Sequence, residues 1–111
     1  MDIEISKKGR ALVVKIDGEI DHHSAERVKD RIDSDFRRTN AKHILLNFER
    51  VRFMDSAGIG MIIGRYKLAQ KEGGELAMVN ISPETERIFE LSGLHKIIKT
   101  FQNVDTALNA L

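Results

Sequence analysis

The length, composition and charge of the chain indicate one globular domain spanning residues 1–111. Of its 111 residues 41% are hydrophobic and 32% charged, and 18 Lys and Arg against 17 Asp and Glu leave a net charge of +1. The absence of cysteine excludes disulfides, thiol catalysis and a thiolate zinc site. Balanced charge and few aromatic residues argue against nucleic-acid and membrane partners. Without a long apolar run or a signal-like start, we expect a cytoplasmic protein.

The chain is predicted to begin with two strands. Ile3 and Ile5 alternate with polar residues, which is typical of a half-exposed edge strand. A polar turn over residues 8–10 leads to a near-continuous apolar run over residues 11–16, which predicts a buried strand. We expect Gly18 to end this second strand.

A helix and a third strand are predicted next. Apolar residues recur at helical spacing over residues 21–36, and either Asp21 or Ser24 can cap the first turn. Residues 43–48 then predict another buried strand, and residues 49–54 a loop.

The second half of the chain repeats the alternation of helices and strands. A helix opens at residues 55–60 and stops at the Gly73-Gly74 pair, and Ser82 followed by Pro83 is a typical start for another helix, which Gly93 ends. The remaining predicted elements are strands over residues 76–79 and 97–101 and a last helix over residues 106–111. This order predicts an α/β fold with a mixed, mostly parallel sheet of four to five strands and helices packed on it.

The segment that opens the second helix is the least ordinary part of the sequence. Asp55 and Ser56 fall at a predicted helix N-terminus, where unpaired N–H groups and the helix dipole favour anions. Glycines at 58, 60 and 64 each cost a helix roughly 0.5–1 kcal/mol relative to alanine. A helix with these glycines is expected to be approached closely by the sheet, a partner or a ligand. For Gly60 and Gly64, packing on the sheet is the simplest explanation.

Several kinds of chemistry are disfavoured by spacing. The glycine patterns of phosphate-binding loops are absent, and a hydrolase nucleophile elbow at Ser56 would need glycine where Met54 stands. His22 and His23 are adjacent on a predicted helix and therefore diverge, which argues against a shared metal ion. Two interpretations of Ser56 stay open at this point: a simple N-cap, or an exposed hydroxyl that is regulated by phosphorylation.

At these residues the sequence resembles a known family. Residues 53–60 (Phe-Met-Asp-Ser-Ala-Gly-Ile-Gly) resemble the signature of bacterial anti-sigma factor antagonists, which carry the STAS domain. The likeness runs over roughly residues 2–110. The sequence resembles the sporulation branch of this family in particular. This resemblance is carried by residues 18–23 (Gly-Glu-Ile-Asp-His-His), 81–83 (Ile-Ser-Pro) and 91–98 (Leu-Ser-Gly-Leu-His-Lys-Ile-Ile).

The resemblance implies a regulatory switch without catalysis or cofactor. Its phosphoacceptor would be Ser56, modified by an anti-sigma factor that is a serine kinase with bound nucleotide, and reset by a separate phosphatase. The unphosphorylated form would bind that kinase and release the sporulation sigma factor. Asp21 would lie beside the phosphoacceptor, and Ala57 stands where many relatives have a second serine. Residues expected at the phosphoacceptor or the partner interface are Asp21, Asp55, Ala57, Gly58 and Gly60.

Two rival functions use the same segment. One is a STAS-type sensor module that binds a nucleotide or another small ligand at the helix start after Asp55. The other is a small hydrolase with Ser56 as nucleophile. Phosphate incorporation at Ser56, tight ligand binding or ester turnover would separate the three classes.

Overall fold

The computed structural model describes residues 1–111, in which strands and helices alternate after an initial hairpin. The strands are β1 (Asp2–Lys8), β2 (Ala11–Ile20), β3 (His43–Met54), β4 (Leu76–Val79) and β5 (Lys99–Phe101). The helices are α1 (His22–Thr39), α2 (Ser56–Lys71), α3 (Pro83–Ser92) and α4 (Val104–Ala110). No helix combines the length and apolar composition that a membrane crossing requires.

The five strands form one mixed sheet in the order β1-β2-β3-β4-β5. The β1 strand is antiparallel to β2, and every other neighbouring pair is parallel. This arrangement confirms the predicted α/β class. Because β2 to β5 run in the same direction, their carboxyl ends share one edge of the sheet, and the helices that follow β2, β3 and β4 begin at this edge.

Hydrophobic cores lie on both faces of the sheet. Successive residues of a strand point to opposite faces of the sheet. Val14 and Leu46 point to one face and belong to the larger core of 22 buried residues, which includes side chains of α1, α2 and α3. On the other face, α4 inserts Ala107 into a smaller core of five buried residues with Val13 and Leu45. The sheet is therefore a middle layer between three helices and one short helix.

The second and third strands are longer than their sequence patterns predict. Gly18 does not end β2, which continues to Ile20, and the predicted loop over residues 49–54 is the second half of β3. Two register shifts between β2 and β3 place extra β3 residues against β2. Such bulges break the regular alternation of buried and exposed residues, which is why the extension was not visible in the sequence.

The C-terminal elements also differ from prediction. The last helix begins at Val104 instead of at residue 106, because the Asn103 side chain caps it and accepts a hydrogen bond of 2.8 Å from the N–H of Thr106. The β5 strand begins at Lys99 and not at residue 97, because the N–H groups of Ile97 and Ile98 donate to the Leu94 carbonyl (3.1 and 3.0 Å) and so continue the 3₁₀ turn of Leu94–Lys96.

Candidate functional site

The paired ends of β2 and β3 bring the starts of α1 and α2 together. Ile20 is paired with Met54 in the parallel register, and the N–H of Asp55 donates a 3.1 Å hydrogen bond to the Ile20 carbonyl. Asp21 and Asp55 each follow one of these strand ends and each cap the next helix. The structure thereby places Asp21 at the helix start that neighbours Ser56.

The start of α1 is held by a capping box centred on Asp21. Its carboxylate accepts hydrogen bonds from the N–H groups of His23 (3.0 Å) and Ser24 (2.9 Å), and the Ser24 hydroxyl accepts one from the N–H of Asp21 (2.8 Å). Ser24 is thus the reciprocal partner and not the cap itself. The α1 helix continues to Thr39, three residues beyond its predicted end.

Hydrogen bonding also sets the charge of Asp21. The bond from the Ser24 N–H, followed by the bond from the Ser24 hydroxyl, lowers the pKa of the Asp21 carboxyl below its ordinary value. Because the side chain is exposed, the carboxylate remains in contact with solvent. The start of α1 therefore presents a negative charge to any partner that approaches this edge.

Asp55, not Ser56, caps α2. The Asp55 carboxylate accepts a 2.9 Å hydrogen bond from the N–H of Ala57, so the interpretation of Ser56 as a simple N-cap is wrong. Ser56 is the first helical residue and is exposed. With Asp55 in the capping role, the Ser56 hydroxyl is not needed to cap the helix and lies at the surface.

Gly58 is required by packing. A Cβ atom at this position would overlap Met54 Cγ and lie 2.8 Å from Met54 Sδ and 3.1 Å from Ile20 Cγ2. Gly58 itself is buried. The first turn of α2 can therefore lie against the ends of β2 and β3 only because residue 58 has no side chain.

Gly60 and Gly64 have a different environment. No heavy atom lies within 4 Å of where a Cβ would stand at either position, so the prediction that these glycines pack against the sheet is wrong. Both residues line a cavity of about 350 Å³ between α1 and α2. We call this cavity the α1–α2 groove; its lining includes small residues (Ala25, Ala57, Gly60 and Gly64) and charged residues (Glu26, Lys29 and Arg65).

Two residues with unusual environments were missed as functional candidates. Arg65 is buried (7% exposed) and its Nε lies 2.9 Å from Asp33 Oδ1 of α1. The signal for it was periodicity, because Arg65 falls four residues after Met61 on the buried stripe of α2. Phe53 is 52% exposed and lies three residues before Ser56, at the end of β3.

Two cavities larger than the α1–α2 groove lie away from the start of α2. A cavity of about 720 Å³ adjoins Ser82 and Phe101, and one of about 580 Å³ adjoins Asn47 and Asn103; neither is lined by Ser56. No group of three or more metal-ligating side chains converges in the chain. The exposed helix start is better suited to contact a protein surface than to enclose a small molecule.

Comparisons with known proteins agree with this architecture. The STAS domain family matches residues 2–107. The anti-sigma F factor antagonist of Paenibacillus polymyxa is 38% identical over 111 residues, which cover 100% of this chain and 95% of that protein. The anti-sigma-B factor antagonist of Bacillus subtilis is 31% identical over 98 residues, 88% of each chain.

Solved structures of SpoIIAA are similar to this fold in two covalent states. The unphosphorylated form superposes with a TM-score of 0.85 at 28% identity, covering 98% of this chain and 95% of that one. The phosphorylated form of the Bacillus protein gives 0.77 at 28% identity, covering 98% of both chains. The chain therefore belongs to the STAS domain family and, within it, to the anti-sigma factor antagonists, which are regulatory binding proteins and not enzymes.

Proposed function

We propose that this chain is an anti-anti-sigma factor that is switched off by phosphorylation of Ser56. The unphosphorylated form binds an anti-sigma factor that is a serine kinase and thereby releases the sporulation sigma factor. The observation that carries the proposal is the exposed Ser56 hydroxyl, which Asp55 frees from capping and which lies at the helix start next to Asp21. The choice of the sporulation sigma factor is supported by higher identity to the sigma F antagonist (38%) than to the sigma-B antagonist (31%).

The remaining parts of the switch follow from the same chemistry. The kinase supplies the phosphoryl group from its bound nucleotide, and a protein phosphatase that acts on phospho-Ser56 returns the chain to its binding form. The cycle takes place in the cytoplasm and involves no nucleic acid, membrane or cofactor of this chain. Asp21, Asp55, Ala57, Gly58 and Gly60 lie at or beside the kinase contact, because all five belong to the starts of α1 and α2.

A phosphate at Ser56 can block binding without unfolding the domain. It adds about −1.5 to −2 charges at a helix N-terminus, where the dipole tolerates an anion. In the complex, a like-charge pair about 4 Å apart costs roughly 1 kcal/mol in water and about 4 at an effective dielectric of 20. Since about 1.4 kcal/mol is a tenfold change, this repulsion lowers affinity by roughly one to three decades.

The acceptor can be identified by mass spectrometry after incubation with the kinase and ATP. We expect one phosphate, on Ser56. Ser82 and Ser92 are the internal comparison, because the Ser82 hydroxyl caps α3 through the N–H of Thr85 (3.2 Å) and the Ser92 hydroxyl donates to the Phe89 carbonyl (3.1 Å). Phosphopeptides that carried the label at Ser82 or Ser92 instead would contradict the assignment.

The switch is tested by measuring binding of the anti-sigma factor to three forms of the chain. Ser56→Ala is expected to bind constitutively, whereas phosphorylated wild type and, to a lesser degree, Ser56→Asp bind weakly while circular dichroism shows them folded. Tight binding by the phosphorylated wild type would remove the proposed mechanism. Tight binding of a nucleotide by the isolated chain would favour a sensor module instead.

A further inference from the structure

The two open glycines of α2 have no explanation in the packing of the domain. Gly60 is exposed, and at both Gly60 and Gly64 the space that a Cβ atom would occupy has no heavy-atom neighbour within 4 Å. Both lower the helix propensity of α2 relative to alanine. Sheet packing is excluded as their cause, so close approach by another molecule is the remaining reason for small residues at these positions.

A buried arginine with unmet hydrogen-bonding capacity lies in the same groove. Arg65 contributes to the wall of the α1–α2 groove, its side chain is 9% exposed, and its Nη1 is buried without a hydrogen-bond partner. Its Nε lies 2.9 Å from Asp33 Oδ1, but these atoms are not aligned as a hydrogen bond. A buried guanidinium with unused donors is unfavourable unless an acceptor is provided.

We infer that the α1–α2 groove receives an acidic side chain of the anti-sigma factor and that Arg65 anchors it. The inference rests on the proposed function and adds a second contact to it. The groove begins at Ala57, the residue after Ser56, and extends along α2 to Gly64 and Arg65. A partner that covers Ser56 therefore reaches the groove without leaving the same face.

The chemistry of the groove favours a carboxylate presented by a protein. Arginine offers a planar fork of donors that matches a carboxylate. The other charged residues of the lining are Lys29, which already pairs with Asp30 (3.6 Å) and Asp33 (4.0 Å), and Glu26, so the attraction for a carboxylate comes from Arg65. The groove is also lined by small residues (Ala25, Ala57, Gly60 and Gly64), which allow the backbone of a partner to come close. Asp33 occupies the Nε side of Arg65 and Nη1 is buried, so an incoming carboxylate would reach the guanidinium at Nη2.

The groove can be filled without touching the phosphoacceptor. Gly64→Leu places a side chain in the groove about two helical turns from Ser56. We expect this variant to melt no lower than wild type and to bind the anti-sigma factor more weakly by about tenfold or more. Gln70→Leu puts the same side chain at an exposed α2 position outside the groove and is expected to bind within about twofold of wild type.

The anchoring role of Arg65 is tested with a double variant that replaces both Arg65 and its ion-pair partner Asp33. Asp33→Leu with Arg65→Met replaces both partners, so that neither charge is left buried alone. We expect a folded protein whose affinity is lower by about tenfold and falls less steeply with salt than that of wild type. If Gly64→Leu and this double variant both bound like wild type, with unchanged salt dependence, the inference would be overturned.

Three further outcomes separate this inference from the proposed function. If unphosphorylated wild type failed to bind the anti-sigma factor, the proposed function would fail and the inference with it. If wild type and Ser56→Ala bound normally but groove variants did so too, the inference alone would fail. A wild type that dimerised in sedimentation, with monomeric Gly64→Leu and unchanged kinase binding, would assign the groove to a second copy and also overturn it.

Discussion

At the level of single residues, two carboxylates cap the helices of the site and leave a serine hydroxyl at the surface. Asp21 and Asp55 satisfy the N–H groups at the starts of α1 and α2, and Ser56 is left without a capping role. Asp21 combines this capping role with an exposed negative charge beside α2. Capping and the proposed partner recognition at Asp21 can be separated, because an amide also accepts the capping hydrogen bonds but carries no charge.

Asp21→Asn and Asp21→Ala are expected to have different melting temperatures but similar defects in phosphorylation or in binding of the anti-sigma factor. Asn keeps an acceptor for the N–H groups of His23 and Ser24, so its melting temperature should stay near that of wild type, whereas Ala should melt earlier. Both variants lose the carboxylate, and we expect both to be phosphorylated more slowly or to bind the anti-sigma factor more weakly. Normal phosphorylation and binding by an early-melting Asp21→Ala would mean that Asp21 only caps α1.

His43 makes the stability of the fold dependent on pH. Its Nδ1 accepts a 3.1 Å hydrogen bond from the N–H of Glu75, and burial, reinforced by Lys42, lowers the pKa of its imidazole from the ordinary 6.5. The unfolded chain therefore binds a proton at higher pH than the folded one. The stabilising contribution is complete above about pH 6.5 and is lost as the pH falls below that value.

The measurement is thermal unfolding of wild type and His43→Asn at a series of pH values. The wild type is expected to lose stability between about pH 7 and 5.5 by more than the variant, because Asn accepts a hydrogen bond but does not titrate in this range. Identical pH profiles for the two proteins would exclude His43 as the source. His22→Asn serves as control, since His22 is exposed.

At the level of elements, α2 shows that glycines in one helix serve opposite purposes. Gly58 is buried against Met54 and Ile20, whereas Gly60 and Gly64 face open space. The sequence alone could not distinguish these cases, because all three share the same low helix propensity. Only the position of each glycine relative to β2, β3 and α1 separates a packing requirement from an open groove.

Alanine substitutions at Gly58 and Gly60 are expected to have opposite effects. Gly58→Ala forces the new methyl group into Met54 and should lower the free energy of unfolding by about 1–3 kcal/mol. Gly60→Ala meets no neighbour and should raise it by up to about 1 kcal/mol through helix propensity. Chemical denaturation of both variants under the same conditions gives the comparison. Equal destabilisation by the two changes would contradict the packing account.

At the level of the whole molecule, the proposed switch requires no change of fold. The carboxyl ends of β2 and β3 place Asp21 and Ser56 on one surface of a three-layer domain. Similarity of this chain to SpoIIAA in both its unphosphorylated and its phosphorylated form is consistent with a common architecture for the two states. In the proposed switch, a phosphate on Ser56 therefore changes only the surface that a partner meets.

Phosphorylation of Ser56 is expected to change stability by no more than about 1 kcal/mol, since the dipole of α2 favours the anion while Asp55 opposes it. Thermal unfolding and NMR spectra of the two forms test this. Shift changes should be confined to the starts of α1 and α2 and the end of β3. Changes that extended to α4, on the opposite face of the sheet, would indicate a rearrangement of the domain instead.

Much of the fold was predictable because its signals are local. The α/β order, the Ser82 cap with Pro83, and a helix start at Asp55 and Ser56 follow from hydrophobic periodicity and helix-start chemistry, which act within a few residues. The family resemblance named Ser56 and Asp21 as neighbours, although spacing in the chain does not bring them together.

The remaining features depend on contacts between distant parts of the chain. The bulged pairing that extends β2 and β3, and the Asp33–Arg65 pair between α1 and α2, join residues more than 30 positions apart. A local pattern carries no information about which partner a strand or helix will meet. The sequence therefore specified the order of the elements and the helix start at Ser56. Packing of α1 and α2 on the sheet created the groove, the buried arginine and the contrast between Gly58 and Gly60.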